Sequence, residues 1–397
     1  MEPLFIMHTP EIWMLLASLF PCVFIPMFFL SRRIPSLAPE GHTETKWIDG
    51  LRGVAASFVA LNHTPFVLAN LVIMPKVFYL DTGDSKTPVL FGALGVQLFF
   101  CITGLLFTSK ILSKKPVDWT DFYAKRVRRI VPAFLVAATV ALAIAAWFSW
   151  PIKQAPAEII MSLPGIFGFG LLAIPTINEF NFVRLIGVAW TLAIEWRFYF
   201  VLPILYIAAK KSTRATLGAI ILFAVIDLWL TGLSTWSFFI PGAVSFFIVS
   251  KQFSKQIRTI AALVAIAALV FMFYRAGLKT TYGLEQWINV SILFIALAIS
   301  RPGILSARTF IAMGSVSYSF YLLHSMILFL VFGAAHFYVG DMGSLSIINF
   351  AIFAGLTLCF ASIVSTASYI FIEKRYMHKP GAAQPQVLQG NVQPALP

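Results

Sequence analysis

The sequence predicts an all-α fold: a polytopic transmembrane helical bundle of about eleven helices. Three observations carry that expectation. Of 397 residues, 59% are hydrophobic and only 11% are charged, where soluble domains carry about a quarter charged residues. The mean hydropathy is +0.86, and the apolar residues gather into runs of bilayer-crossing length. The basic residues fall in short clusters between those runs, as orientation signals do. The net charge of +13 therefore reflects membrane topology rather than a nucleic-acid surface. Cys22, Cys101 and Cys359 all lie inside apolar runs without CxxC spacing. They read as packing residues, with neither a disulfide framework nor a zinc or other metal site indicated.

The first apolar run, residues 12–30, is closed by Arg32 and Arg33. It is too long for a signal-peptide core and has no positive flank before it, so it is expected to be retained. After a polar linker over 34–45, a second helix begins near Lys46 and is expected to end near Met74. A polar loop over 76–88, with Asp81 and Asp84, leads to a third helix over about 89–109. The main basic segment follows, with Lys110, Lys114, Lys115, Lys125, Arg126, Arg128 and Arg129. A fourth helix then runs to about Trp150. Later runs span 188–209, 214–232, 236–250, 258–274, 286–300, 309–335 and 346–372.

Basic clusters at Lys210/Lys211/Arg214, Lys251/Lys255/Arg258, Arg301/Arg308 and Lys374/Arg375/Lys379 separate these runs. Residues 157–176 are long enough to cross, but crossing would put every later cluster outside. Pro164, Gly165, Gly168 and Gly170 favour irregular backbone there, so the run is read as re-entrant or surface-lying. With the N-terminus outside and the C-terminus cytoplasmic, 21 basic residues face the cytoplasm. Six face outward: Lys76, Lys86, Lys153, Arg184, Arg275 and Lys279. The Pro- and Gln-rich end of the chain reads as a disordered tail.

The second helix holds the first candidate site. Arg52 and His63 are eleven residues apart, which is three turns plus about 20°, so they share a face about 16 Å in length. An imidazole that deep in a bilayer points to a cavity or a partner, although a hydrogen-bonded histidine can also serve as glue between helices. Asp49 can pair with Arg52 at the mouth. Glu195 lies about two turns inside its helix, and Arg197, two residues on, points elsewhere. A carboxyl there protonates, seeks a partner on another helix, for which His63 has the right depth, or bonds to neighbouring backbone or hydroxyl groups. Ser317, Tyr321 and His324 form one stripe with Tyr318 beside it, either lining a cavity or serving as interface residues. Lys125 to Arg129 put several cations at the membrane edge, suited to phosphates or simply to lipid headgroups. There is no P-loop, GxSxG, HExxH or Asp-rich diphosphate motif.

Five segments taken together resemble the acyltransferase-3 family of membrane O-acyltransferases. They are DGLRG with His63 ten residues beyond (Asp49 to His63), GVQLFFCITGLLF (Gly95 to Phe107), FYAKRVRRIVPAF (Phe122 to Phe134), WTLAIEWRFYFVLP (Trp190 to Pro203) and SVSYSFYLLH (Ser315 to His324). The resemblance implies a ten-helix membrane domain over 46–376. Residues 1–45 would add an N-terminal helix and linker, and 377–397 a cytoplasmic tail. Thr103-Gly104-Leu105 stands where the family usually has Ser-Gly-Phe. Some members carry an extracytoplasmic hydrolase-like domain. Without one in this chain, the membrane domain would complete the transfer itself or hand over to another protein.

The resemblance further implies transfer of acetyl from acetyl-CoA, a substrate rather than a bound cofactor, to a hydroxyl of a surface or lipid-linked sugar such as O-antigen. It assigns catalysis to His63, Arg52 and Glu195, and CoA phosphates to Arg126 and Arg128, with Arg129 and Lys125 beside them. Tyr318, Tyr321 and His324 are candidates for substrate contact. His63 would be a general base or carry the acyl group, with Glu195 orienting its ring. The imidazole and the basic rim would share one conduit. Expected partners are membrane lipid, the glycan acceptor, and a second copy or glycan-assembly proteins, in a bacterial inner membrane. A small glycosylated acceptor of the macrolide type, or a sugar or drug transporter, are the competing readings.

Overall fold

The computed structural model describes residues 6–7, 9–39, 45–71, 79–80, 86–113, 115–232, 235–274 and 281–377. Most of the loop expected over 76–88 and the tail after 377 lie outside the described residues, as do Lys76, Lys114, Arg275, Lys279 and Lys379. A two-residue strand, β1 (Ile6–Met7), pairs in parallel with β2 (Tyr79–Leu80). The helices in order begin with α1 (Thr9–Arg33), α2 (Lys46–His63), the short α3 (Val67–Asn70), α4 (Lys86–Ile111), α5 (Trp119–Phe148) and α6 (Pro156–Phe167). A hairpin of β3 (Thr176–Ile177) and β4 (Phe180–Asn181) then leads into α7 (Val183–Ile186) and α8 (Ala189–Lys211). The rest are α9 (Thr213–Thr231), α10 (Phe239–Val249), α11 (Lys255–Tyr274), α12 (Leu284–Ser300), α13 (Arg308–Tyr338), α14 (Ile347–Ser368) and α15 (Lys374–Met377).

Each of the eleven expected runs coincides with a helix, and among the described residues eight helices are long and apolar enough to cross a membrane. The all-α polytopic bundle is the fold. Local chemistry sets several helix ends. Asp118 caps α5 by accepting from the Asp121 amide at 3.0 Å, and α9 stops at Gly232, whose φ of +66° is left-handed. Two ends differ from expectation. Helix α2 stops at His63 rather than near Met74, because Pro65 has no amide to donate to the ladder. Helix α6 has 12 residues, a rise of about 18 Å, against about 30 Å of hydrocarbon. As a helix it does not cross, and the chain turns back through Phe169 and Gly170, both at positive φ.

Helix α2 is central, packed most extensively against α13 and α4. Its backbone touches that of α13: a Cβ on Gly314 would sit 1.9 Å from the Asp49 carbonyl oxygen. On the other side α4 is flanked by α10 and α8, and α10 leads on to α12 and α11. The additional leading helix α1 packs against α14 and α13. Ser362 Oγ donates to the Val23 carbonyl at 2.9 Å, and Arg308 Nε to that of Ser31 at 2.8 Å. Helix α9 rests mainly on α8 and leaves most of its surface for lipid.

Candidate active site inside the bundle

Five helices supply one cavity with an apolar wall and a few convergent polar groups: α2, α4, α5, α8 and α13. Its volume is about 290 Å³. One end is basic, lined by Arg52, Lys110, Arg126 and Arg129. These cations come from the same end of three elements: the start of α2, the end of α4 and the first three turns of α5. The opposite wall is Thr191 and Tyr321, whose hydroxyls lie 2.8 Å apart.

Between the two ends, Glu195 Oε1 accepts from Tyr199 Oη at 2.7 Å and from Thr103 Oγ1 at 3.4 Å. Glu195 and Tyr199 are one helical turn apart and so share a face. The Arg126 guanidinium lies over aromatic faces, 4.9 Å from the Phe107 centroid and 5.6 Å from that of Phe122. Its Nε has no hydrogen-bond partner among the described residues, so a buried donor is left for an incoming acceptor. Tyr318 Oη donates to the Ile130 carbonyl at 2.9 Å, tying α13 to α5 at the cavity wall.

Behind Tyr321 lies a pair of imidazoles. The His324 ring centroid is 6.2 Å from that of Tyr321 and 5.2 Å from that of His63. The His324 Nδ1 is 3.0 Å from the Phe320 carbonyl, which can only accept, so Nδ1 carries the proton. Nε2 then accepts from the Ser325 hydroxyl at 3.1 Å.

The structure thus gathers Arg52, Arg126, Arg129, Glu195, Tyr318 and Tyr321 around one space. His63 and His324 adjoin it without lining it, and the expected open conduit is closed at Thr191 and Tyr321. Glu195 turns to Tyr199 and Thr103, and the neighbour of His63 is His324. Arg128 is not among the lining residues, being two positions from Arg126 and about 200° around the helix. Lys125 is exposed and pairs with Asp121 at 2.6 Å. Asp49 lies within electrostatic range of Arg52 and Arg129, and Arg197 is exposed, facing away from Glu195.

Sequence reading did not single out Thr103, Thr191, Tyr199 or Lys110 as site residues. Only the one-turn spacing from Glu195 to Tyr199 could have signalled any of them. It also passed over Glu373, which is 1% exposed. That carboxylate sits on a π-helical turn, Tyr369–Glu373, accepts from the Ser319 hydroxyl, and has Arg129 and Arg52 within electrostatic range. Such turns often occur at functional sites, but the basic cluster after it masked this one.

Fold and site define a multi-pass α-helical membrane protein with a cation-mouthed cavity that ends near the buried His324 and the half-buried His63. The chain matches the family profile Acyl_transf_3, described as "Acyltransferase domain", over residues 45–366. It belongs to that acyltransferase family. It is similar to O-acetyltransferase OatA of Staphylococcus aureus (strain NCTC 8325 / PS 47), at 26% identity over 328 residues, 71% of this chain and 52% of the relative. It is also similar to SACOL0978 of S. aureus strain COL, named as a candidate O-acetyltransferase. There the identity is 23% over 368 residues, 82% of this chain and 56% of the relative. The chain spans about half the length of these relatives. No solved structure matches it.

Proposed function

We propose that this chain is an O-acetyltransferase of a bacterial inner membrane, N-terminus outside and C-terminus in the cytoplasm. It moves acetyl from cytoplasmic acetyl-CoA to a hydroxyl of a surface or lipid-linked sugar, with O-antigen-type polysaccharide as the favoured acceptor. The observation that carries this reading is the cavity: cations and an orphaned guanidinium donor at one end, a pair of imidazoles beyond the other, within an acyltransferase family member. A volume near 290 Å³ suits a slender acylated arm better than a whole nucleotide. The phosphates of CoA would therefore stay at the basic mouth with Arg126, Arg129, Lys110 and Arg52. Lys125 and Arg128 would add positive potential from outside the lining.

For the thioester to meet His63, the Thr191–Tyr321 hydrogen bond opens and Tyr321 swings aside. His63 then takes the proton from the acceptor hydroxyl as its oxygen attacks the thioester carbonyl. The carbon–sulfur bond breaks, and the CoA thiolate regains a proton from the imidazolium. His324, with its proton fixed on Nδ1, acts on His63 as a positioning residue. Glu195 serves the cavity's electrostatics between Arg52 and Arg126 rather than the His63 ring. A general base contributes about 10²–10⁴-fold, so His63→Ala should lower glycan O-acetylation by at least about 100-fold. Mass analysis of surface glycans from cells with the wild-type chain, the His63→Ala chain and neither would check this. Wild-type acetylation in the His63→Ala cells would overturn the assignment.

A further inference from the structure

A second cavity, of about 310 Å³, lies at the far end of α5. Along that helix, Phe148 is 22 residues beyond Arg126, about 33 Å, or one hydrocarbon thickness from the basic mouth. Two of its lining residues pack against α13. Phe148 and Phe180 each pack edge-on against Phe329, at centroid separations of 5.2 and 5.8 Å. Phe329 is five residues beyond His324 on α13, a rise of about 7.5 Å. Along the axis of α13, His324 therefore falls between Tyr321 of the inner cavity and Phe329 beneath the outer one, with Phe329 about 140° around the helix.

The walls of this outer cavity differ from those of the inner one. Trp150 is 75% exposed at its edge. Lys153, Glu179 and Arg184 supply two cations and a carboxylate. The frame is built by Asn178. Its Oδ1 accepts from the Lys153 amide at 2.9 Å, and its Nδ2 donates to the Ser149 and Pro151 carbonyls. Its own amide donates to Gln154 Oε1 at 2.8 Å. Asn178 and Glu179 both have positive φ, 49° and 69°, as the two-residue hairpin turn between β3 and β4 requires. An exposed indole can sit in a membrane-interface belt without any ligand. Here it instead edges a concave, mixed-charge pocket with a braced rim, the make-up of a site for a polar ligand with one apolar face.

We propose that this outer cavity seats a sugar ring of the acceptor glycan. The ring's apolar face lies on Trp150, while Lys153 and Arg184 donate to its hydroxyls and Glu179 accepts from one. This rests on the O-acetyltransferase reading and supplies the missing half of its substrate pair: donor from the basic mouth, acceptor from the opposite end, meeting at the histidines.

The test is direct binding to the full chain in detergent. The probe is alkali-de-O-acetylated surface polysaccharide from the cells that express the chain, read by saturation-transfer NMR and by titration. Trp150→Ala and the double change Lys153→Ala/Arg184→Ala should each weaken binding about tenfold or more. Trp150→Phe should keep most of it. In turnover, the same variants should raise KM for polysaccharide without raising KM for acetyl-CoA. Wild-type affinity in both altered chains, or no polysaccharide binding by the wild type, would overturn the proposal. His63→Ala separates this from the parent reading. If that variant binds polysaccharide but no longer acetylates it, both stand; if it binds and still acetylates, the chemistry falls and the glycan site remains.

Discussion

At Arg126 the sequence supplies a cation, and the packing decides what the cation can do. Its guanidinium plane is braced by the rings of Phe107 and Phe122, so a donor is offered to the cavity with little rotamer entropy left to lose. Arg126→Ala should raise KM for acetyl-CoA about 10- to 100-fold, the worth of a charge-assisted hydrogen bond, with a smaller fall in kcat. Arg126→Lys should recover only part of it, because an ammonium cannot keep the planar stack. Steady-state kinetics at varied acetyl-CoA would check both. Tyr199→Phe removes the 2.7 Å donor from Glu195 and should cost about tenfold in kcat/KM, one hydrogen bond's worth, with the protein still folded. Arg52, Arg126 and Glu195 were legible as site residues because ionisable groups in apolar runs are rare enough to weigh singly. Tyr199 and Thr103 were not, because aromatic and small hydroxyl side chains are ordinary helix-packing residues. The wrong partner for Glu195 has the same origin: depth along a helix can be read from sequence, but azimuth toward a given neighbour cannot.

Among the elements, the crossing of α2 and α13 governs the site, since it fixes Arg52 and His63 against Ser317, Tyr321 and His324. The crossing is close because Gly314 lets the backbones meet. Gly314→Ala would put a methyl 1.9 Å from the Asp49 carbonyl oxygen, between two backbones with no flexible side chain to give way. The helices would have to part, at a cost of about 1–3 kcal/mol as for overpacking. A lowered midpoint in detergent thermal unfolding, with loss of acetylation, is the expected outcome; an unchanged midpoint would show that the helices are not in contact there. The existence of the helices was legible from apolar runs closed by basic clusters. The early end of α2 was legible only in Pro65, which by itself does not separate a kink from a stop. Which helix touches which was not legible, because helix partners in lipid are chosen by small residues and shape rather than by hydropathy.

For the whole molecule, the proposed reaction depends on sidedness: the donor must reach the basic cavity from the cytoplasm and the glycan must reach the Trp150 cavity from outside. Positive-residue asymmetry predicts that orientation, and it can be tested without any enzymology. In a chain with Cys22, Cys101 and Cys359 replaced by Ser, Lys153→Cys and Lys211→Cys report opposite ends of the bundle, since α5 ends near the first and α8 ends at the second. A membrane-impermeant maleimide should label Lys153→Cys in intact cells, and Lys211→Cys only after the membrane is opened. The pair is informative because α6 does not cross between them. If 157–176 spanned, two crossings rather than one would lie between the positions, and Lys211 would fall on the same side as Lys153. Equal labelling in intact cells would show that 157–176 spans; labelling of Lys211→Cys alone would place the basic mouth outside, away from cytoplasmic acetyl-CoA, and would remove the physical basis for a donor entering past Arg126.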